Sequence, residues 1–318
     1  TSAPGEGNAS QYGGGLYVAG TNSRVYVGGN AGGPTAGAPH IEGNSAVFYG
    51  GGISMGGGGS QLIMYKGEIS TNTCVNYGGG VHGRGNTTIS LRGGSVDNNT
   101  AREGGGVYLT FVNTGAAPHI SSLTLTGGTI TQNSATRGGG VFGDTAGAVI
   151  SLQQGIISEN TATYGGGVFL NGGTFVMGMS GGGNHEAAVS DNTATYMGGG
   201  VDAHDGSTFT MNSGTISGNN ASDNEEQTYG GGVELYNDST FTMKDGVISG
   251  NSSNDYSGGV EVYENSTFTM EGGLIEGNTA PKGGGVSVGY ESALFNMSGG
   301  TIDGNEAYSY GGAVYLYT

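Results

Sequence analysis

The chain is built on a repeat whose register can be followed from one end to the other. Three blocks show the repeat most plainly: STFTMNSGTISGN from Ser207, STFTMKDGVISGN from Ser239 and STFTMEGGLIEGN from Ser266. Each block leads through a turn to a glycine cluster that ends in an apolar residue. That apolar residue recurs at Leu16, Ile53, Val81, Val107, Val141, Val168, Val201, Val233, Val260, Val286 and Val314. Successive repeats are 26 to 37 residues apart, which is the length of one supersecondary unit, so the chain is predicted to be a solenoid.

Within each unit the apolar residues alternate with polar ones. Val233 and Leu235 follow one glycine cluster, Phe241 and Met243 come next, and Ile248 follows them. A period of two residues indicates strands rather than helices. Three short strands per unit can close into one coil. The predicted fold class is therefore all-β, a right-handed parallel β-helix of about eleven coils, with residues 1–318 forming a single domain.

An asparagine stands in the turn before most of the glycine clusters. Equivalent residues of stacked coils lie above one another at the strand spacing, roughly 4.8 Å. Their side-chain amides can then hydrogen-bond along the axis as a ladder. The predicted ladder consists of Asn44, Asn72, Asn99, Asn133, Asn160, Asn192, Asn219, Asn251, Asn278 and Asn305.

Composition excludes several function classes. The chain has 73 glycines among 318 residues, but they recur in register with valine and isoleucine and form no Gly-X-Y triplet, so collagen is excluded. The net charge is -17 with only eight basic residues, which argues against nucleic acid as a partner because phosphates need clustered cations. No apolar run is long enough to insert into a membrane as a helix. The lone Cys74 is predicted to be a small core residue.

The unit FTM-x-x-G-x-I-x-x-N-x-A-x-x-x-GGGV resembles the repeats of bacterial surface β-helix proteins. The likeness is greatest to polymorphic outer-membrane proteins and autotransporter adhesins, whose repeats carry GGA[IV] and an apolar-x-x-Asn turn. The closest local matches are GGAV at 311–314 and IDGN at 302–305. The resemblance covers nearly the whole chain. It implies an extracellular or cell-surface location and a role in adhesion or surface structure.

The residues that alternate with the core positions after each glycine cluster are predicted to point outward. Three of them are carboxylates in successive coils, Asp202, Glu234 and Glu261. Stacked like charges are unfavourable, and three interpretations are open. They form a solvated face of an acidic protein, they supply oxygen ligands to Ca²⁺, or they are the paired carboxylates of glycoside hydrolysis. The solvated face is favoured, so no catalytic residue, metal or other cofactor is expected.

The same outward positions carry an aromatic strip that is predicted to be exposed. Exposed tyrosine and phenylalanine often only fill a surface of high β-propensity, but they also bind sugar rings or a partner protein. The predicted ligand or partner face consists of Tyr108, Phe142, Phe169, Tyr236 and Tyr263.

The two ends carry no pattern of an amphipathic capping helix. The last strand ends in GGAVYLYT, with Tyr315 and Tyr317 predicted to be exposed. Either the chain is a segment of a longer one, or its end coils stack head to tail, and contacts of that kind grow into open filaments. The filament is the expectation that the sequence favours.

The leading functional expectation is an extracellular structural or adhesive β-helix that assembles with itself head to tail in a surface filament. Cell-surface glycans or receptors are its other expected partners. One alternative is a secreted polysaccharide-active enzyme, a lyase or glycosidase, that uses Asp202, Glu234 and Glu261. Another is a calcium-stiffened carbohydrate-binding module. Long insertions at 28–39, 110–120, 178–187 and 220–228 leave the coil at different corners, which speaks against the single cleft wall of an enzyme.

Overall fold

The computed structural model shows a parallel β-helix, which confirms the predicted fold class. The structure describes residues 7–29, 37–113, 118–145, 147–180, 187–223 and 227–318. Within these ranges the chain contains no helix, and one short hairpin, Val112–Asn113 with Pro118–His119, is antiparallel. Each of the four predicted insertions lies partly outside the described residues.

The strands that follow the glycine clusters form one sheet of eleven parallel strands, here called the valine face. Their register matches the repeat, since Val233 pairs with Val201 and Val260 and Leu235 pairs with Val262. The strands are Leu16–Val18, Ile53–Met55, Val81–Arg84, Val107–Thr110, Val141–Asp144, Val168–Asn171, Val201–His204, Val233–Leu235, Val260–Tyr263, Val286–Gly289 and Val314–Tyr317.

The Phe/Met strands and the Ile strands belong to one sheet of eighteen strands, here called the methionine face. Two long strands, Ser121–Thr131 and Ala148–Ser158, run through both halves of this face without a break. The other Phe/Met strands are Arg24–Val27, Gln61–Met64, Thr88–Leu91, Thr174–Met177, Thr208–Met211, Thr240–Met243, Thr267–Met270 and Leu294–Met297. The other Ile strands are His40–Glu42, Glu68–Ser70, Ser95–Asp97, Ala187–Ser190, Thr215–Ser217, Val247–Ser249, Leu274–Glu276 and Thr301–Asp303.

The third face follows the asparagine column, in residues that the sequence pattern assigned to a turn. Single bridges continue the pairing between its strands from coil to coil. Small side chains are buried beneath it, among them Ala46, Cys74 and Ala101, so the core position predicted for the cysteine is confirmed. The strands of this asparagine face are Ala9–Tyr12, Ser45–Tyr49, Thr73–Cys74, Thr161–Tyr164, Thr193–Met197, Asn220–Ala221, Ser252–Ser253, Thr279–Lys282 and Glu306–Tyr310.

Columns of identical apolar residues fill the interior. Phe175, Phe209, Phe241 and Phe268 are each at most 1% exposed, and their rings stack with centroids 4.3–4.8 Å apart. This ring spacing equals the spacing of neighbouring strands. The interior is therefore dry and close-packed, with no room for a ligand among these columns.

The predicted asparagine ladder is present and begins one coil earlier, at Asn8. Each Nδ2 donates to the Oδ1 of the next asparagine at 2.8–3.0 Å. Asn160 shows the full pattern, because its backbone N–H also donates to Asn192 Oδ1 at 3.0 Å and its Nδ2 donates to the Ile130 carbonyl at 3.0 Å. The buried amides are thereby satisfied along the rod.

Candidate functional site

The residue that follows each apolar residue at the start of a valine-face strand points away from the core and yet is buried in nine successive coils, from Ser54 to Ser287. Seven larger residues lie between the two serines. These seven residues, here called the outer row, are His82, Tyr108, Phe142, Phe169, Asp202, Glu234 and Glu261. None of them is more than 5% exposed. The expectation of an exposed aromatic strip is therefore wrong for Tyr108, Phe142 and Phe169. The expectation of a solvated acidic face is wrong for Asp202, Glu234 and Glu261.

Side chains from two flanking rows cover the outer row. On one side lie the residues that precede the glycine clusters: the Tyr49 ring stacks on His82 at 4.5 Å, and Tyr77 lies 4.9 Å from Tyr108. On the other side lie residues two positions further along each strand, such as His204, whose ring centroid is 5.1 Å from that of Phe169. The valine face therefore carries a second, outer layer of packed side chains.

The first glycine of each cluster makes this outer layer possible. Gly230 has a φ of +60°, and a Cβ built on it would lie 2.6 Å from the Val233 carbonyl oxygen and 2.9 Å from the Cβ of Glu234. Glycine suits both the left-handed backbone and this close approach, and Ser257 with a φ of +50° holds the equivalent position in the next coil. The turn brings the preceding side chain, Tyr229, down over the outer row. A tyrosine stands directly before the glycine cluster of this coil, as Tyr49 and Tyr77 do in theirs.

The first half of the outer row is aromatic. The rings of Tyr108, Phe142 and Phe169 meet edge to face with centroids 5.2 and 4.9 Å apart. The Tyr108 hydroxyl donates to Asp144 Oδ2 at 2.7 Å, and burial raises the pKa of Tyr108, so it stays a neutral phenol. Burial lowers the pKa of His82 to about 3, so this imidazole is neutral as well.

The second half of the outer row is acidic. Glu234 pairs in register with Asp202 on one side and with Glu261 on the other. Burial, the charge of Glu261 and the charge of Asp202 raise the pKa of Glu234 well above its usual value. Burial raises the pKa of Glu261 to about 8, although hydrogen bonds from Tyr317 and Ser287 lower it. Burial therefore favours the protonated form of both glutamates.

Several oxygens of this acidic half lack a hydrogen-bond partner among the described residues. They are both carboxyl oxygens of Asp202, Oε2 of Glu234 and Oε2 of Glu261. Unpaired buried polar atoms are costly, and perturbed carboxyl groups of this kind cluster at functional sites.

His204 lies directly beside the acidic half. Its Nε2 is 2.7 Å from Asp202 Oδ1, a contact that becomes an ion pair when the imidazole is protonated. Burial lowers the pKa of His204, but the charge of Asp202 and the contact with it raise the pKa more, so the net shift is upward. His82 and His204 both lie on strands of the valine face.

Two pockets open on the valine face above the outer row. The larger, here called the histidine pocket, has a volume of about 260 Å³ and is lined by Arg137, Phe142, Tyr164, Phe169, Asn171, His204 and Asp205. The smaller, here called the tyrosine pocket, has a volume of about 160 Å³ and is lined by Tyr196, Met197, Tyr229, Glu234, Tyr236 and Tyr263. The predicted ligand face is thus divided: two of its residues border the first pocket, two border the second, and Tyr108 borders neither.

The residues predicted for end-to-end assembly are in contact with the chain itself. Tyr317 is half-buried, and its hydroxyl donates to Glu261 Oε1 at 2.8 Å. Its ring lies over Gly289, where any side chain would collide with it. Tyr315 is also half-buried and stacks between Tyr310 and Tyr317. The expectation that both tyrosines are exposed is therefore wrong.

In the ranges that the structure describes, no group of three or more His, Cys, Asp or Glu side chains is placed to hold a metal ion. No helix of the described chain is long and apolar enough to cross a membrane.

Fold and site together define a parallel β-helix with a covered aromatic and acidic row along one face. No protein-family model, curated protein or solved structure is detectably similar to the chain.

Proposed function

We propose that this chain is an extracellular structural or adhesive β-helix that binds a carbohydrate in the histidine pocket. The observation that carries the proposal is the lining of that pocket, where the rings of Phe142, Tyr164 and Phe169 meet Asn171 and charged side chains. Aromatic surface beside a few placed polar groups is the usual composition of a small-molecule site. Amide and carboxylate side chains supply the paired donors and acceptors that sugar hydroxyls need.

The scaffold is suited to presenting such a site. Eleven strands at a spacing of about 4.8 Å make a rod on the order of 50 Å long. The amide ladder and the stacked core columns run through the rod without a break. A ligand on the valine face would therefore be held by a preorganised surface, which lowers the entropic cost of binding.

The test is a screen of purified protein against immobilised glycans, followed by calorimetry on any that bind. Asn171→Ala removes a polar group of the histidine pocket and is expected to weaken binding about tenfold, the effect of losing roughly 1.4 kcal/mol. Asn212→Ala, on the methionine face, is the matched control and is expected to leave binding unchanged. The proposal fails if no glycan binds, or if both variants bind as the parent does.

A polysaccharide-active enzyme is the second candidate, and one observation favours it. His204 borders the histidine pocket and contacts the buried Asp202, an arrangement that orients an imidazole for proton transfer. Incubating the bound polysaccharide with the protein and measuring new chain ends decides between the two. If new polysaccharide chain ends form with the parent protein but not with the Asp202→Asn variant, the protein acts as an enzyme rather than as an adhesin.

The surface-protein resemblance and head-to-tail assembly stay predictions. Negative-stain electron microscopy over a concentration series tests the assembly. Long uniform fibres one coil-stack wide are expected if the chain is its own partner, whereas separate short rods at every concentration would contradict it.

A further inference from the structure

The methionine face carries two columns of hydroxyl side chains on its outer side. The residues that alternate with the buried apolar positions of the Phe/Met strands are threonine or serine in seven successive coils, except for two valines, which have nearly the shape of threonine. All of them are exposed or half-buried. This set, here called the threonine array, consists of Thr88, Ser90, Ser122, Thr124, Val149, Ser151, Thr174, Val176, Thr208, Thr210, Thr240, Thr242, Thr267 and Thr269.

The threonine array is regular in two directions. Thr208 pairs with Thr240 and Thr240 pairs with Thr267 without a bulge, and the second column follows the same register. Neighbouring side chains are therefore roughly 4.8 Å apart across the strands and about 6.7 Å apart along each strand. The array is a rectangular lattice of small side chains.

This lattice is also flat. Adjacent strands of a sheet are usually rotated by roughly 20–25° relative to one another. The four phenylalanines stacked directly beneath the array have interplanar angles of only 11°, 5° and 9° from ring to ring. Because each ring belongs to one strand of the array, the near-parallel rings indicate that these strands rotate little from coil to coil. The two spacings therefore stay constant over the surface.

Most hydroxyl groups of the array are left to water. Among the described residues, the only side-chain hydrogen bonds of the array are long ones, which Ser90 accepts from Arg92 at 3.4 Å and Ser151 accepts from Gln153 at 3.3 Å. The chain has 25 aspartates and glutamates and a net charge of -17, yet every side chain of the array is uncharged. Water on this surface is therefore positioned by hydroxyl and methyl groups at fixed spacings.

We propose that the threonine array binds ice. Water molecules in the prism planes of ice repeat in two perpendicular directions, at distances close to the two spacings of the array. A rigid array that already holds water near those positions loses little conformational freedom when the crystal grows onto it. One hydroxyl binds weakly, but its repetition over seven coils makes the combined contact strong.

The surface of a crystalline polysaccharide is also ordered and uncharged. Protein surfaces bind sugar rings chiefly through aromatic side chains, and the threonine array contains none. Ice is therefore the favoured occupant. The inference concerns a different face from the histidine pocket and does not depend on the carbohydrate proposal.

The experiment holds a single ice crystal in a solution of the purified full chain and measures the gap between its melting and freezing temperatures. We expect a gap that widens with protein concentration, together with enrichment of the protein in slowly grown ice. Melting and freezing temperatures that coincide at every concentration, with the protein excluded from the ice, would overturn the inference.

Two tyrosine substitutions test the array itself. Thr242→Tyr places a ring in the middle of the array and is expected to lose most of the temperature gap, because the ring keeps a flat crystal surface away. Thr161→Tyr makes the same change at an exposed position of the asparagine face and is the matched control with an unchanged gap. Tyrosine is well accepted in strands, and thermal melting of each variant establishes that it is folded.

Two further outcomes would contradict the inference. A full temperature gap in folded Thr242→Tyr would mean that the array does not contact the ice. Retention of the parent on crystalline cellulose that is lost in Thr242→Tyr, with no temperature gap, would assign the array to a polysaccharide surface instead. Asn171→Ala separates the two sites, because it changes the valine face and is expected to keep the full temperature gap whether or not glycans bind the histidine pocket.

Discussion

The two halves of the outer row occupy the same register position and are equally buried, yet their chemistry is opposite. From His82 to Phe169 the row is aromatic, and its rings pack against one another. From Asp202 to Glu261 it is acidic, and several of its oxygens have no partner within the described chain. The two halves differ in polarity but not in burial. Burial is therefore imposed by the backbone, because the glycine turn folds covering side chains over the outer row.

The difference in chemistry separates two roles. The aromatic half gains apolar burial and edge-to-face contacts, which stabilise the rod. The acidic half bears the cost of desolvated carboxyl groups, and Glu234 opens onto a pocket. The comparison therefore predicts that the aromatic half contributes more to stability than the acidic half does.

The largest expected effect comes from removing a ring of the aromatic half. Phe142 is 2% exposed, and Phe142→Ala is expected to lower the free energy of unfolding by about 3–5 kcal/mol because a cavity replaces the ring. Glu234→Met, at the same position of the acidic half, is expected to be neutral or stabilising, since a buried carboxyl group with an unpaired oxygen gives way to an apolar group of similar length. Denaturant unfolding measures both.

Tyr308→Ala is the control for that pair. Tyr308 is 70% exposed, and its loss is expected to change the free energy of unfolding by no more than about 0.5 kcal/mol. The comparison of the two halves would be broken if Glu234→Met destabilised the protein as much as Phe142→Ala does.

The fold was predictable because its signal is repeated in nearly every coil. The valine positions, the Phe and Met columns and the asparagine ladder all follow from a fixed register, and a β-helix places equivalent residues above one another. The asparagine face was missed because its strands are as short as Ser252–Ser253, too short for a period of two to show.

The outer row was identified by register but its burial was misjudged. Alternation distinguishes the core side of a strand from the other side, and it contains no information about what covers that other side. The covering side chains, such as Tyr49 and Tyr229, lie in the preceding face and reach the row only through the turn at the glycines. His204 lies two positions after Asp202 on the same strand, so alternation places both side chains on the outer side, but it does not show that they are covered and in contact.

The second prediction concerns opposite pH responses of the two halves. The folded pKa of His82 is about 3, below its ordinary value of 6.5, so the unfolded state binds more protons between these values and stability is lost as the pH falls. The folded pKa of Glu261 is about 8, above its ordinary value of 4.5, so the folded state binds more protons there and stability is lost as the pH rises. Each effect is on the order of a few kcal/mol.

Thermal melting from pH 4 to pH 9 separates these two effects. His82→Leu is expected to reduce the loss of stability on the acid side, and Glu261→Gln is expected to reduce the loss between about pH 5 and pH 8. If each substitution left the pH profile parallel to that of the parent, the assigned protonation states of both halves would be wrong.

The smallest expected effect tests the one hydrogen bond that reaches the acidic half from the last strand. The Tyr317 hydroxyl donates to Glu261 Oε1 at 2.8 Å, and Tyr317→Phe is expected to cost about 1 kcal/mol. This bond lowers the pKa of Glu261 and therefore favours the charged carboxylate. The cost of the substitution should then grow as the pH rises past 8 and should vanish in a Glu261→Gln background.

Tyr315→Phe, two positions earlier on the same strand, is the control and is expected to show no such growth. If the loss of stability in Tyr317→Phe depends neither on the pH nor on the residue at position 261, the tyrosine acts only through packing. Glu261 would then gain nothing from a hydrogen bond with this tyrosine.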